Sequence, residues 1–335
     1  MTTAIPKMMK ALQLNNFDGT AALELVEKPV PQPQAGEVLI KISAASVNPS
    51  DLAFLNGDYK SQKKPPIVAG FEGSGEVVAV GAGLLGRYLL GKRVACVAAD
   101  GDGTWAQYMI TKSNLCLPLQ KQITDEQGAA LLINPFTAYV LVSLAEKAHA
   151  KALVQTAAAS QVGRMVERLC QHKELPVINI VRREEQAQLL RDMGARYILN
   201  SSADGFEGQL GSLCQQLRAS YAFCAVGGRV TGQILKALID GGTVNIYGLL
   251  SEELPVIDTL QLLFNGKQMI GFWLPVWFAQ QNILTLLRIG FKVQKLLSST
   301  LASTIQGRYA LPQAIEAIKH YAAHMTEGKV LITPN

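Results

Sequence analysis

Charge is scarce in this chain: 17% of its 335 residues are Asp, Glu, Lys or Arg, against 49% hydrophobic residues. That balance excludes a disordered or fibrous protein and implies well-buried cores. The net charge of +5 is spread along the chain, with no basic run and no interleaving of basic and aromatic residues. Nucleic acid is therefore not an expected partner. A mild positive excess suits a phosphorylated ligand, which is weak guidance taken alone. Cysteines are few and isolated: Cys96, Cys116, Cys170, Cys214 and Cys224. An odd number of single thiols in a long chain points to free, buried side chains in a reducing compartment. No C-x-x-C cluster exists to hold a structural zinc. The opening MTTAIPKMMKAL lacks the apolar centre of a signal peptide. The most apolar long run, GAALLINPFTAYVLVSLA, contains Asn134 and Pro135. It reads as a pair of buried helices, not as a membrane span. The expectation is a cytoplasmic protein with no membrane partner.

At 335 residues the chain exceeds one ordinary core, and two domains of roughly 150 residues each are expected. The first third carries MKALQL, LELVEK, EVLIKISAASV, GSGEVVAVG and KRVACVA. These short runs are rich in Val, Ile and Leu and are separated by Gly and Pro, which predicts strands. GTWAQYMI predicts one more. Thr124, with Gln127 three residues on, predicts a capped helix start. From Lys151 onward strands and helices alternate: ALVQTA then QVGRMVERLCQ, PVINIV then REEQAQLLRDMG, YAFCAVG then GRVTGQILKALIDGG. That alternation predicts βαβ units, a parallel sheet and helices on both faces. KQMIGFWL reads as a strand, LPQAIEAIKHYAAHM as an amphipathic helix and GKVLIT as a closing strand. The simplest layout is a β-rich domain, residues 1–123 and 275–335, interrupted by a Rossmann-type α/β domain, residues 124–274.

The stretch ALVQTAAASQVGRMVERLCQ, Ala152 to Gln171, has the strand–turn–helix layout of a dinucleotide loop. The three glycines of G-x-G-x-x-G give a tight turn, close approach to the pyrophosphate and close helix–strand packing. Here the positions hold Ala158, Ser160 and Gly163. Gly163 can serve the packing role, and alanine and serine are the next smallest residues. Gln161 is the odd one; at the first turn of a helix it needs no left-handed backbone. The helix start keeps its N–H groups and positive end whatever the side chains. On this motif alone, cofactor binding and an empty loop are about equally favoured. The second strand ends in Arg182 and Arg183, where an adenosine ribose would lie. An acid there suits NAD, and arginine suits the 2′-phosphate of NADP(H). The arginines favour NADPH. Glu184 competes as a ribose ligand, and with Glu185 it also fits the ordinary role of a first-turn acid.

With these pieces assembled, the chain resembles the medium-chain dehydrogenase/reductase superfamily nearly end to end. AGEVLIKISAASVNPSDL, GFEGSGEVVAVG and GKRV resemble its GroES-like catalytic domain, and AFCAVGGRVTGQILKALIDGGTVNIYGLL its nucleotide-binding half. VNPSDLAFLNGDY, GDGTWAQYMI, INPFTAY and GFWLPVW point to the zinc-free 2-enoyl thioester reductases and their quinone-reductase cousins. The loop of those reductases tends to read A-x-x-S-x-x-G, which Ala157, Ser160 and Gly163 match; Gln161 departs from the usual glycine. The candidate zinc-ligand positions hold Pro49 and Phe71. His320 and His324 are spaced as one helix face with no third ligand in view, so no metal is expected. The resemblance implies Asn48 near the nicotinamide, Tyr59 as hydrogen-bond donor or acid at the substrate carbonyl, and Trp273 flanking cofactor and cleft. It places Thr137 in the nicotinamide pocket and Ala157, Ser160 and Gly163 in the cofactor loop; the expected cofactor-binding residues in all are Thr137, Ala157, Ser160, Gln161, Val162, Gly163, Arg182, Arg183, Gly248, Phe272 and Lys329. Without it, Asn48 and Tyr59 read as turn residues, Thr137 as a buried hydroxyl and Trp273 as core.

The expected activity is NADPH-dependent hydride transfer to the activated C=C bond of a 2-enoyl thioester or enone. A quinone reductase is the alternative within enzymes, and a catalytically idle NADPH-binding protein is the alternative outside them. A homodimer is expected, since the last strand of the nucleotide sheet, within Lys267 to Leu274, would otherwise leave an apolar edge.

Overall fold

The computed structural model describes residues 5–59, 63–98, 101–251 and 253–334. It divides into two compact units, Met1–Pro135 with Ile283–Asn335, and Phe136–Asn282.

The first unit begins with β1 (Met8–Leu14), β2 (Leu23–Pro29), β3 (Glu37–Ser46), α1 (Pro49–Leu55), β4 (Ile67–Val68) and β5 (Glu72–Val80). It continues with α2 (Leu84–Leu89), β6 (Arg93–Val97), β7 (Tyr108–Lys112), β8 (Cys116–Pro118) and α3 (Asp125–Ala129). The helix α4 (Asn134–Lys147) then leads into the second unit. That unit runs β9 (Leu153–Gln155), α5 (Gln161–His172), β10 (Val177–Val181), α6 (Glu184–Asp192), β11 (Tyr197–Asn200) and α7 (Phe206–Leu217). It ends with β12 (Tyr221–Cys224), α8 (Gly228–Ala237), β13 (Thr243–Ile246), α9 (Thr259–Leu263), β14 (Gln268–Gly271) and α10 (Leu274–Ala279). The chain returns to the first unit with α11 (Ile283–Leu296), β15 (Ile305–Ala310), α12 (Ala314–Ala323) and β16 (Lys329–Thr333).

In the first unit β2-β1-β4 form one sheet and β15-β16-β3-β5-β6-β8 another, with β7 also on β3. Val, Ile and Leu of these strands surround the fully buried Trp105 in one core. The second unit holds the order β11-β10-β9-β12-β13-β14, and every pairing is parallel. Its β10 and β12 are buried along their whole length, as strands covered by helices on both faces are. This is the expected Rossmann-type sheet accompanying a β-rich unit.

Thr124 caps α3, and its hydroxyl accepts from the Gln127 N–H while Gln127 reaches back, as predicted. GAALLINPFTAYVLVSLA supplies the end of α3 and most of α4. Two expectations need correction. The strand in GTWAQYMI starts only at Tyr108, because Trp105 exchanges its backbone bonds with Leu12 and Ala69, away from the β3 ladder. The strand in KQMIGFWL ends at Gly271, because Pro275 pre-sets the first turn of α10 and Trp273 becomes its N-cap. All five cysteines are free and buried. Among the described residues no helix is long and apolar enough to cross a membrane.

Candidate active site

The nucleotide loop turns on alanine. Ala157 lies at φ 50°, the left-handed region that glycine enters without penalty. The Ser160 N–H closes the turn on the Ala157 carbonyl at 2.9 Å. The tight-turn role thus falls to Ala157, one residue before the Ala158 that G-x-G-x-x-G spacing marks. Ser160 is the N-cap of α5, and its hydroxyl accepts from the Gly163 N–H at 3.1 Å. Gly163 cannot be replaced freely, since a Cβ there would stand 2.5 Å from the Ala158 carbonyl oxygen. Beneath it, Gln155 of β9 donates to the Gly163 carbonyl at 3.0 Å and to Asn179 of β10 at 2.7 Å. Asn179 in turn donates to Glu167 of α5 at 2.9 Å. Burial pushes the Glu167 carboxyl up, opposed by its bonds from Asn179 and Gln171. A buried polar chain therefore ties the start of α5 to two strands.

Gln161 is the first residue of α5 and is 5% exposed. Its Nε2 is buried without a hydrogen-bond partner. A buried unpaired donor costs about 1–3 kcal/mol. Gln161 itself opens a twelve-residue helix, whose free N–H groups favour an anion. An anionic oxygen would satisfy the unpaired donor, so the loop fits the pyrophosphate of a dinucleotide.

At the end of β10, Arg182 and Arg183 are exposed. Both backbone N–H groups donate to the Gln186 side chain, which fixes the entry to α6. Glu184 pairs with Arg191 along α6, so its carboxylate already has a cation of its own. Gly248 follows β13, where a Cβ would meet the Ala225 carbonyl oxygen at 2.8 Å. Val162 follows Gln161 in α5, Thr137 is 7% exposed in α4, and Phe272 is 9% exposed just past β14. Trp273 is 40% exposed.

In the first unit the structure brings Asn48 and Lys329 together, although they lie 281 residues apart. Both are fully buried, as is Glu72, and Asp51 nearly so. The Lys329 ammonium donates to Asn48 Oδ1 and to the Val47 carbonyl, and stands 3.7 Å from Glu72. Asn48 Nδ2 donates to Glu72 at 3.0 Å and to Ser46 at 3.1 Å. The second Glu72 oxygen accepts the Leu132 and Ile133 N–H groups that lead into α4. Asp51 accepts from the backbone N–H of Asn48 at 2.8 Å and of Phe71 at 2.9 Å. Burial raises the Asp51 pKa to about 7; the Asn48 N–H and the Lys329 charge oppose it. Burial lowers Lys329, and the Glu72 and Asp51 carboxylates hold it up.

Sequence reasoning had passed over Asp51, Glu72 and Ser46. Asp51 had a signal, since N-x-x-D before a helix is a capping pattern. Glu72, an acid opening the small-residue strand EGSGEVVAV, was the other. Tyr59 is half-buried with its ring 5.2 Å from that of Phe71. Pro49 opens α1, and Phe71 precedes β5. His320 and His324 stack at 4.6 Å on α12 and the turn after it. Among the described residues no three His, Cys, Asp or Glu side chains form a group that could hold a metal ion.

Two family models match the chain: an alcohol dehydrogenase GroES-like domain over residues 34–121 and a zinc-binding dehydrogenase domain over residues 162–289. A mitochondrial enoyl-[acyl-carrier-protein] reductase of Rattus norvegicus is 30% identical over 273 residues, spanning 80% of this chain and 70% of its own. The Arabidopsis thaliana protein of that name is 29% identical over 264 residues, 77% and 70%. Among solved structures, one assigned as an NADPH:quinone reductase from Mesorhizobium loti is 34% identical, with a TM-score of 0.92 over 99% of this chain and 100% of its own. A mycobacterial protein complexed with NADPH is 27% identical, with a TM-score of 0.82 over 97% and 100%.

Proposed function

The chain belongs to the medium-chain dehydrogenase/reductase superfamily, in its zinc-free branch, and is an oxidoreductase of that type; from that premise we propose that it is an NADPH-dependent reductase of the activated C=C bond of a 2-enoyl thioester or small enone. The observation that carries the reading is Tyr59 packed on Phe71, a phenol beside a position where a zinc-dependent relative would place a ligand. Support for NADPH comes from Arg182 and Arg183 at the end of β10, with Glu184 engaged by Arg191. Ala157, Ser160, Gln161 and Gly163 would hold the pyrophosphate, and the two arginines the 2′-phosphate.

Bound NADPH supplies a hydride, which the side chains cannot. The chain's own task is electrostatic. A conjugated C=C–C=O group gathers negative charge on its carbonyl oxygen as the β-carbon is reduced. The Tyr59 hydroxyl is an O–H donor that can serve that oxygen. The α-carbon finally takes one proton, so the double bond gains a hydride and a proton in all. A quinone is the second substrate class, favoured by the similarity to a protein assigned as an NADPH:quinone reductase.

A homodimer completes the proposal. Among the described residues β14 is an edge strand, and Ile270 on it is exposed, as are Leu263 and Phe264 before it in the chain. Pairing with a second copy covers such an edge. Light scattering that reports a monomer at micromolar concentration contradicts it. The substrate is tested by following NADPH absorbance against a crotonyl thioester, an enone and a quinone. Consumption with the thioester or enone supports the reading, consumption with the quinone alone moves it to the second class, and none with NADPH bound contradicts both.

A further inference from the structure

We propose that Lys329 and Glu72 are positioning residues for hydride transfer, fixing which way the Asn48 carboxamide faces. This rests on the reading of Asn48 as a neighbour of the nicotinamide. A carboxamide has two nearly isosteric ends, one accepting and one donating. In the structure Lys329 donates and Glu72 accepts in each of their hydrogen bonds. The structure sets Asn48 Oδ1 against the ammonium and Nδ2 against the carboxylate. Turning the amide over would put donor on donor and acceptor on acceptor. Ser46 cannot make this choice, because a hydroxyl donates or accepts as required. With Lys329, Glu72 and Ser46 engaged, both N–H groups of Asn48 are used, as is one lone pair of Oδ1. The capacity left to Asn48 is a single acceptor site, which matches an N–H donor such as the nicotinamide carboxamide.

The surroundings keep this arrangement in place. Asp51 accepts the Asn48 backbone N–H and sets the main chain at the start of α1. Glu72 also holds Leu132 and Ile133, so the carboxylate cannot swing away without losing four bonds. The charged and titratable groups facing Lys329 are Glu72 and Asp51, and Tyr321 lies close enough to feel both carboxylates.

The test compares wild type with Lys329→Met, Glu72→Gln and the double variant. The single variants leave a buried charge unpaired and are expected to lose thermal stability. The double variant removes both charges at nearly constant volume and is expected to recover it. In the double variant the glutamine that replaces Glu72 keeps its oxygen on the Leu132 and Ile133 N–H groups, so its amide donor faces Asn48 and the native orientation is no longer held. Its kcat on a crotonyl thioester should therefore stay about tenfold or more below wild type, with KM little changed. The emission of bound NADPH should shift. A double variant with wild-type melting temperature, kcat and emission would show a merely structural pair and overturn the proposal. If wild type binds NADPH but reduces nothing, the functional reading fails by itself, and the emission alone decides: a shift supports positioning and none overturns it.

Discussion

The two polar constellations of this chain are finished to different degrees. Around Asn48, two carboxylates, an ammonium, a hydroxyl and backbone N–H groups satisfy one another inside the first unit. At the start of α5, Gln161 buries a donor and gives it no acceptor. A closed network holds a shape, whereas an orphaned buried donor is a standing cost until a ligand accepts from it. On the proposed function, the first unit supplies geometry and chemistry and the second captures the cofactor. Substitutions in the first should lower kcat, and substitutions in the second should weaken NADPH binding.

The largest effect is expected at Tyr59. Tyr59→Phe keeps the ring on Phe71 and deletes only the hydroxyl. Losing one donor to a developing oxyanion costs about a hundredfold in kcat, so an enoyl substrate should slow by that factor while the NADPH dissociation constant holds. Unchanged kcat, with hydride transfer rate-limiting, returns Tyr59 to an ordinary turn residue. Next comes Arg182→Ala with Arg183→Ala. Charge-assisted bonds to a 2′-phosphate are worth roughly 1.5–3 kcal/mol, so NADPH affinity should fall about tenfold to a hundredfold and NADH affinity should not move. Equal loss for both cofactors would break the assignment. The smallest effect is expected for Gln161→Ala. One hydrogen bond is worth about 0.5–1.5 kcal/mol net, so NADPH affinity should fall about threefold to tenfold. A gain in affinity would mean that Gln161 obstructs the loop it opens.

How far these features could be read in advance follows from their range along the chain. The Thr124–Gln127 cap is a local pattern, and so is the alternation that builds the parallel sheet. The left-handed Ala157 was hidden, because alanine gives no sign of a conformation that glycine normally marks. Trp273 was read inside a strand although Pro275 already announced a helix. The Asn48 network was out of reach for a different reason. Glu72 lies 24 residues from Asn48 and Lys329 lies 281, so only the pairing of β16 with β3 brings that lysine beside Asn48. A buried lysine at the start of a final strand looks in sequence like any solvated charge. In the structure its hydrogen bonds run to Asn48 and Val47, and Glu72 lies 3.7 Å away.

The most direct test of the account is to follow the hydrogen itself. NADPH carrying deuterium at both nicotinamide C4 positions is incubated with the protein and a crotonyl thioester, and the saturated product is examined by mass spectrometry and NMR. The account predicts one deuterium per product, on the β-carbon, with the α-carbon proton drawn from solvent. A product without deuterium, or cofactor that stays bound and unconsumed, would contradict it.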